Sequence, residues 1–172
     1  MVKLVNIKVG ALLPIIDEKL CDYITFSTTC DIPEHILTAF EKCLKAVLEQ
    51  MESDKLFDGK NRMWQVNCIV TDNDLISIEV DDEFKAVVMD IIIYPIHKWS
   101  GLRSQMICAC IVEELCHYFW NIRSEYDVVF KVIQVLKRIN PNIKISDVYN
   151  LDKIRQIAVS EGKAFTAQTT EV

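Results

Sequence analysis

Residues 101–122 read GLRSQMICACIVEELCHYFWNI, and this stretch decides the fold class. A helix drawn over 101–121 carries apolar side chains in nearly every direction, which is typical of a helix buried in a core. Glu113, Glu114 and His117 interrupt that apolar surface. Because an unpaired charge is costly in a core, we expect these side chains to be paired, protonated, open to a cleft or bound to a metal.

Three segments before this helix have the composition of β-strands: WQVNCIV (64–70), LISIEV (75–80) and FKAVVMDIIIYPI (84–96). They are rich in β-branched residues, and turn-forming TDND and DDE separate them. This order predicts three strands in hairpin succession.

Helical patterns flank the strands. One amphipathic pattern starts at a predicted N-cap, Asp31, and another starts at Ser124 and stops at Asn140. A last helix is predicted over 146–159, and Ser100 is a candidate cap for the helix over 101–121. We therefore predict an α+β fold in which a mixed or antiparallel sheet packs against that central helix, with the other helices beside it.

Composition bounds the class of protein. The chain has 172 residues, 51% of them apolar, and a formal net charge of -6. This predicts one domain over 1–159 with a flexible tail over 160–172. The acidic balance argues against nucleic acid and anionic membranes as partners. Seven cysteines without a C-x-x-C pair fit buried free thiols in a reducing cytoplasm. The sequence carries no signal for the oligomeric state.

Glu113 and His117 are four residues apart, so on a helix both side chains point to the same place. The segment EELCH resembles the H-E-x-x-H helix of the zincin metallopeptidases. In that motif two histidines bind zinc and the glutamate is the general base. The resemblance implies that His117 is a metal ligand and Glu114 the base, with Glu113 in the place of the first histidine. It also implies a third ligand just beyond the helix, for which Glu125 and Asp127 are candidates.

The resemblance covers residues 64–135, by the order of elements and by this motif. It implies a zincin-like fold, zinc as cofactor and a peptide or protein as substrate. Glu113, in the place of the first histidine, adds negative charge to the site, and this predicts weak or absent hydrolysis. Both a zinc-bound and a metal-free state stay open. The alternative function is a non-enzymatic protein-binding or regulatory module on the same fold.

The same residues also have purely structural explanations. His117 fits a hydrogen-bonded core histidine, and Glu113 fits an ion pair with a cation such as Arg103, Lys98 or Arg123. The acids at 125 and 127 fit a first helical turn, where the helix dipole favours negative charge. Both explanations stay open from the sequence.

Two further side chains are candidate ligands. Cys110 shares the helix stripe of Glu113 and His117, and His97 can replace the missing ligand from the sheet side. A ferritin-like di-iron site also uses E-x-x-H, but it needs that motif twice on four helices. The single copy and the strand-rich middle of the chain argue against it.

Overall fold

The computed structural model describes residues 2–57, 65–74, 76–80 and 89–165. Its helices and strands, in chain order, are β1 (Val2–Leu4), β2 (Ile24–Thr28), α1 (Glu34–Ser53), β3 (Val66–Thr71), β4 (Ile78–Val80), β5 (Asp90–Pro95), α2 (Ser104–Phe119), α3 (Glu125–Ile139), α4 (Ile145–Val148) and α5 (Leu151–Ser160). The mixed α and β composition is confirmed. The zincin-like arrangement of these elements stays a prediction.

The larger sheet is parallel, so the predicted hairpin succession is wrong, and so is the predicted mixed or antiparallel pairing for this sheet. Its strand order is β2–β3–β5, and both pairs are parallel. The predicted middle strand, β4, instead pairs antiparallel with β1 in a separate two-stranded sheet. Parallel neighbours need a crossover connection, which α1 supplies between β2 and β3. Residues 64, 75 and 84–88 of the predicted strands lie outside the described residues.

The burial of β3 explains the parallel pairing. Its side chains are buried at nearly every position, including Cys68, Ile69 and Val70 in succession. A strand covered on both faces carries a continuous apolar run, whereas a hairpin strand with one wet face alternates. The run CIV in this segment was therefore a signal for a parallel strand.

The chain folds into two compact units, and α1 belongs to both. The first unit is Met1–Glu41 with Arg62–Leu102, and the second is Lys42–Asn61 with Arg103–Val172. The first unit contains the parallel sheet and an aromatic cluster in which the Phe40 ring lies 5.0 Å from Tyr94 and 5.4 Å from Phe26, centroid to centroid. The predicted single domain over 1–159 and the packing of a sheet on the central helix stay predictions.

The second unit is helical, and its centre is the pair α2 and α3. Within it α2 contacts α3 and α4, and α3 contacts α4 and α5. The buried side chains of this pair include Val112, Leu115, Cys116, Phe119, Val132, Ile133 and Leu136. Glu113 and His117 are only half-buried, so they lie at the border of this apolar core.

The helix ends agree with the sequence in some places and differ in others. Ser124 caps α3 by accepting a hydrogen bond from the Asp127 amide, and Asn140 is its C-cap, as predicted. The caps predicted at Asp31 and Ser100 are wrong. The helix α1 begins only at Glu34, and Asp31 pairs with Lys8 instead. The helix α2 begins at Ser104 because residues 96–99 form a separate turn of 3-10 helix.

All seven cysteines are free thiols. Five are buried, Cys110 is half-buried and Cys21 is exposed. Burial raises the pKa of Cys68 to about 12 and raises that of Cys116 well above the usual range. The prediction of buried free thiols is confirmed for these five. In the described parts of the chain, no helix combines the length and the apolar character needed to cross a bilayer.

Candidate metal centre

The helical unit brings two carboxylates and one imidazole together. One potential ligand atom from each of Glu113, His117 and Glu125 lies within 4.8 Å of the other two. The His117 Nε2 atom is 3.8 Å from Glu125 Oε2. The four-residue spacing on α2 aligns the first two, and Glu125 arrives from the first turn of α3. Of the two acids that the sequence offered for the third position, Glu125 joins the group.

A tight turn between α2 and α3 delivers Glu125 to His117. Asn121 directly follows the C-cap of α2 with a φ of 50°, in the left-handed region that asparagine tolerates. This reverses the chain, and the Ser124 cap starts α3 three residues later. The loop has the short length usual in a hairpin of two antiparallel helices.

The same turn fixes the orientation of the histidine ring. His117 Nδ1 lies 2.5 Å from the Ile122 carbonyl oxygen, and a carbonyl can only accept, so Nδ1 carries the hydrogen. In the neutral ring Nε2 then bears the lone pair, and it is the atom that faces Glu125. A histidine ligand in a metal site is typically held in this way through its other ring nitrogen.

Tyr149 holds Glu113. Its hydroxyl donates a 2.6 Å hydrogen bond to Glu113 Oε2 from the residue that directly follows α4. Burial, and then the charge of Glu113, raise the pKa of this phenol above its usual range, so it remains a neutral donor. Because each carboxylate oxygen has further lone pairs, the bond orients Glu113 and still leaves it able to bind a cation. The sequence did not single out Tyr149.

Glu114 lies beside this group but points more toward solvent. Its side chain is exposed, yet the pKa of its carboxyl is raised. Partial burial is the largest cause, and the negative charges of Glu113 and Glu125 add to it against the opposing effect of His117. A carboxylate with a raised pKa is a better proton acceptor than an ordinary glutamate.

Asp127 is bound elsewhere. Its carboxylate forms a 2.6 Å ion pair with Lys163, although it is only two residues from Glu125. Cys110 is half-buried, and burial, followed by the charge of Glu113, raises the pKa of its thiol. A thiol that stays protonated is a poor metal ligand. Neither residue belongs to the three-ligand group.

His97 belongs to the sheet-containing unit. It lies 3.3 Å from Asp74 and lines an open cavity of about 530 Å³ beyond the carboxyl ends of β2, β3 and β5. Lys8 and Asp31, which also line the cavity, form an ion pair with each other. Three of the charged or titratable side chains that line the cavity, Lys8, Asp31 and His97, are thus engaged in ion pairs.

The geometry of the group suits a small divalent cation. Zinc holds nitrogen and oxygen ligands at about 2.0–2.2 Å, which places tetrahedral neighbours roughly 3.4 Å apart. The three ligand atoms lie within 4.8 Å of one another, and one pair is already at 3.8 Å. Each pair therefore needs to close by at most about 1.4 Å, a movement that side-chain rotation can supply. The donor set of one imidazole and two carboxylates is also one that zinc and manganese accept.

Comparisons with family models, with curated proteins and with solved structures find no match to this chain. The functional conclusion therefore rests on the geometry of this group of residues.

Proposed function

We propose that the chain is a zincin-like protein that binds one divalent metal ion through Glu113, His117 and Glu125, with Glu114 as general base and with weak or no peptidase activity. The observation that carries the proposal is the convergence of three ligand atoms, one of which comes from a different helix. An isolated E-x-x-H pattern has only two of these groups. The third favours a metal site over the alternative of a lone hydrogen-bonded histidine.

The residues around the ligands support a metal site as well. The hydrogen bond from His117 Nδ1 to the Ile122 carbonyl means that Nε2 bears the lone pair of the neutral ring. The hydrogen bond from the Tyr149 hydroxyl orients Glu113. Both contacts fix the ligands before any cation arrives, which lowers the entropy lost on binding. A cation would also relieve the repulsion between the carboxylates of Glu113, Glu114 and Glu125.

The chemical role of each residue follows from its position. A bound divalent ion polarises a carbonyl oxygen and acidifies water. Glu114 directly follows the ligand Glu113 and does not belong to the ligand group, so its carboxylate is available to accept a proton from water. His117 and the two ligand glutamates hold the cation in place and set the charge around it, and they transfer no proton.

The donor set also predicts that hydrolysis is weak. Two carboxylate ligands nearly neutralise a divalent cation, whereas two imidazoles leave its charge intact. The remaining Lewis acidity is lower, and so is the acidification of water. Peptides are the substrate class that the zincin resemblance implies, and we propose them as such for any residual activity.

Metal analysis of the full chain tests the binding site. Protein purified without a metal-affinity column is exposed to Zn²⁺ or Mn²⁺, and bound metal is counted by mass spectrometry while affinity is measured by chelator competition. We expect about one ion per chain. The variant Glu125→Gln should weaken binding by more than about 100-fold, because even residues behind the ligands contribute 10–100-fold.

Glu34→Gln is the matched control. Glu34 is the exposed first residue of α1 in the same way that Glu125 is the first residue of α3, so both changes remove one carboxylate from a first helical turn. The control should bind metal like the unaltered chain. If neither Zn²⁺ nor Mn²⁺ binds, or if Glu125→Gln and Glu34→Gln behave alike, the proposed site does not exist.

A fluorogenic peptide pool tests the hydrolytic role. Any activity of the metal-loaded chain should disappear in Glu114→Gln while the metal content stays the same, because Glu114 is a base and not a ligand. Metal binding without hydrolysis in any pool would favour the alternative, a non-enzymatic protein-binding or regulatory module.

A further inference from the structure

The segment that follows α5, residues 161–163, binds the first turn of α3, which carries the proposed third ligand, Glu125. Ser124 and Asp127 lie on either side of Glu125 in the sequence. Ser124 forms hydrogen bonds with Glu161 and Lys163, and Asp127 forms an ion pair with Lys163. Glu125 itself is exposed, so burial in an apolar core does not fix its place. The position of its backbone therefore depends on these flanking contacts.

The contacts saturate the polar groups that form them. Ser124 Oγ donates to Glu161 Oε2, accepts from the Asp127 amide and accepts from Lys163 Nζ, which uses its one hydrogen and both lone pairs. Lys163 Nζ uses all three of its hydrogens, on Ser124, on Asp127 at 2.6 Å and on Glu161 at 3.0 Å. A fully satisfied cluster has few alternative arrangements, so it defines the first turn of α3 closely.

The fold of this segment explains how Lys163 reaches the turn. Glu161 is the C-cap of α5, and Gly162 follows in the left-handed region with a φ of 67°. The Lys163 amide donates to the Ala158 carbonyl at 2.8 Å, and the Gly162 amide donates to the Val159 carbonyl at 3.1 Å. These two bonds form a Schellman motif, which turns the chain back at the end of a helix.

We propose that Glu161 and Lys163 are positioning residues for Glu125 and that they set the metal affinity of the site. The inference rests on the proposed function, because it needs Glu125 to be a ligand. Neither residue belongs to the group of ligands. Each acts through the turn around Ser124, in the way that residues behind a metal ligand commonly tune the site.

Replacing Lys163 distinguishes two effects on metal affinity, the loss of a nearby positive charge and the loss of the contacts that position Glu125. Loss of a positive charge near a cation site would, by Coulomb's law alone, strengthen cation binding. Loss of positioning weakens it. We expect Lys163→Met in the full chain to bind Zn²⁺ or Mn²⁺ about 10–100-fold more weakly. Lys153→Met is the control, since it removes the same charge from an exposed position on α5. It should leave the affinity within about threefold.

A double-mutant cycle shows whether the effect passes through Glu125. If Lys163 acts by positioning this ligand, Lys163→Met should change the residual affinity of Glu125→Gln by less than about threefold. A general loss of structure would weaken both backgrounds equally. Should Lys163→Met fail to fold, as judged by circular dichroism, Glu161→Gln replaces it in the cycle. Its lost negative charge weakens cation binding in both backgrounds, so only a loss larger in the unaltered chain than in Glu125→Gln supports positioning.

The outcomes distinguish the two proposals. If the unaltered chain binds no metal, the proposed function fails and this inference fails with it. If the unaltered chain binds metal through Glu125, but Lys163→Met binds as tightly or more tightly, only the inference is overturned. Equal losses of affinity in the unaltered and Glu125→Gln backgrounds overturn it too.

Discussion

Asp54 connects three helices of the second unit, and its replacement is the sharpest test of how that unit is held together. It follows α1 directly, and its carboxylate accepts hydrogen bonds from Trp120 Nε1 at 2.8 Å, Lys131 Nζ at 2.9 Å and Gln50 Nε2 at 3.0 Å. Lys131 also lies 5.2 Å from the centre of the Trp120 ring. Trp120 is the C-cap of α2 and Lys131 lies on α3, so one side chain joins all three.

The variant Asp54→Asn should lower the free energy of unfolding by about 2–4 kcal/mol. A hydrogen bond to a charged group contributes about 1.5–3 kcal/mol, and the Lys131 bond loses that charge. The amide has one accepting oxygen in place of two, so one of the remaining donors loses its partner at a further ~1 kcal/mol. The side chains of Asp54 and Lys131 are only 25% and 18% exposed, so solvent replaces these bonds poorly.

The effect should depend on pH. Burial alone would raise the pKa of Asp54, but hydrogen bonds from Lys131, Gln50 and Trp120 lower it overall. A carboxyl whose folded pKa is lowered stabilises the fold above its ordinary pKa, and that contribution disappears as the pH falls through the lower, folded value. The unaltered chain and Asp54→Asn should therefore differ at neutral pH, and the difference should begin to shrink as the pH falls below about 4.

Denaturant unfolding, followed by circular dichroism and by tryptophan fluorescence at pH 7 and pH 3, measures both effects. Asp152→Asn is the control, because Asp152 is 84% exposed and its ion pair with Arg155 is long, at 3.8 Å. This control should stay within about 0.5 kcal/mol of the unaltered chain. A loss below 1 kcal/mol for Asp54→Asn at pH 7, or an equal loss at both pH values, would refute the role given to this carboxylate.

Three further changes probe the metal site and its surroundings. Glu113→His restores the imidazole pair of the zincin motif and should bind zinc more tightly than the parent; chelator competition that shows no gain in a folded variant would make the resemblance accidental. Tyr149→Phe removes only the hydroxyl that holds Glu113, so zinc affinity should fall about 10–100-fold with little change in the thermal midpoint, and an unchanged affinity would contradict the orienting role. Gly162→Ala meets no atom within 4 Å but must adopt a φ of 67°, so the unfolding free energy should fall by about 1 kcal/mol and metal affinity should fall with it; unfolding and chelator titrations measure both, and an affinity that stays the same would separate this turn from the site.

Local sequence patterns predicted the helices and most of the candidate site. Apolar periodicity is a property of short segments, and it identified α1, α2 and α3. The spacing of Glu113 and His117 fixes their common direction on any helix, whatever the fold. Glu125 was a candidate, with Asp127, because the zincin resemblance implies a third ligand just beyond the helix.

Contacts between distant residues could not be predicted in this way. Tyr149 meets Glu113 across 36 residues, and Lys163 meets Ser124 across 39. The pairing of β4 with β1 is also long-range, and nothing in either segment specifies it locally. The prediction of hairpins in place of a parallel sheet was avoidable, because a strand buried on both faces has a continuous apolar run and a hairpin strand with one wet face alternates.

The reactivity of the buried cysteine thiols can be used to measure local unfolding of the helices that carry them. Cys21 is exposed and should react at once with an alkylating reagent, whereas Cys116 is fully buried in α2 between the residues of the metal site. A thiol that is both inaccessible and protonated can react only while its helix is transiently detached. The alkylation rate of Cys116, followed by mass spectrometry, therefore measures how often α2 leaves the core. A cation that joins α2 to α3 should slow that rate, and a cation held elsewhere should leave it unchanged.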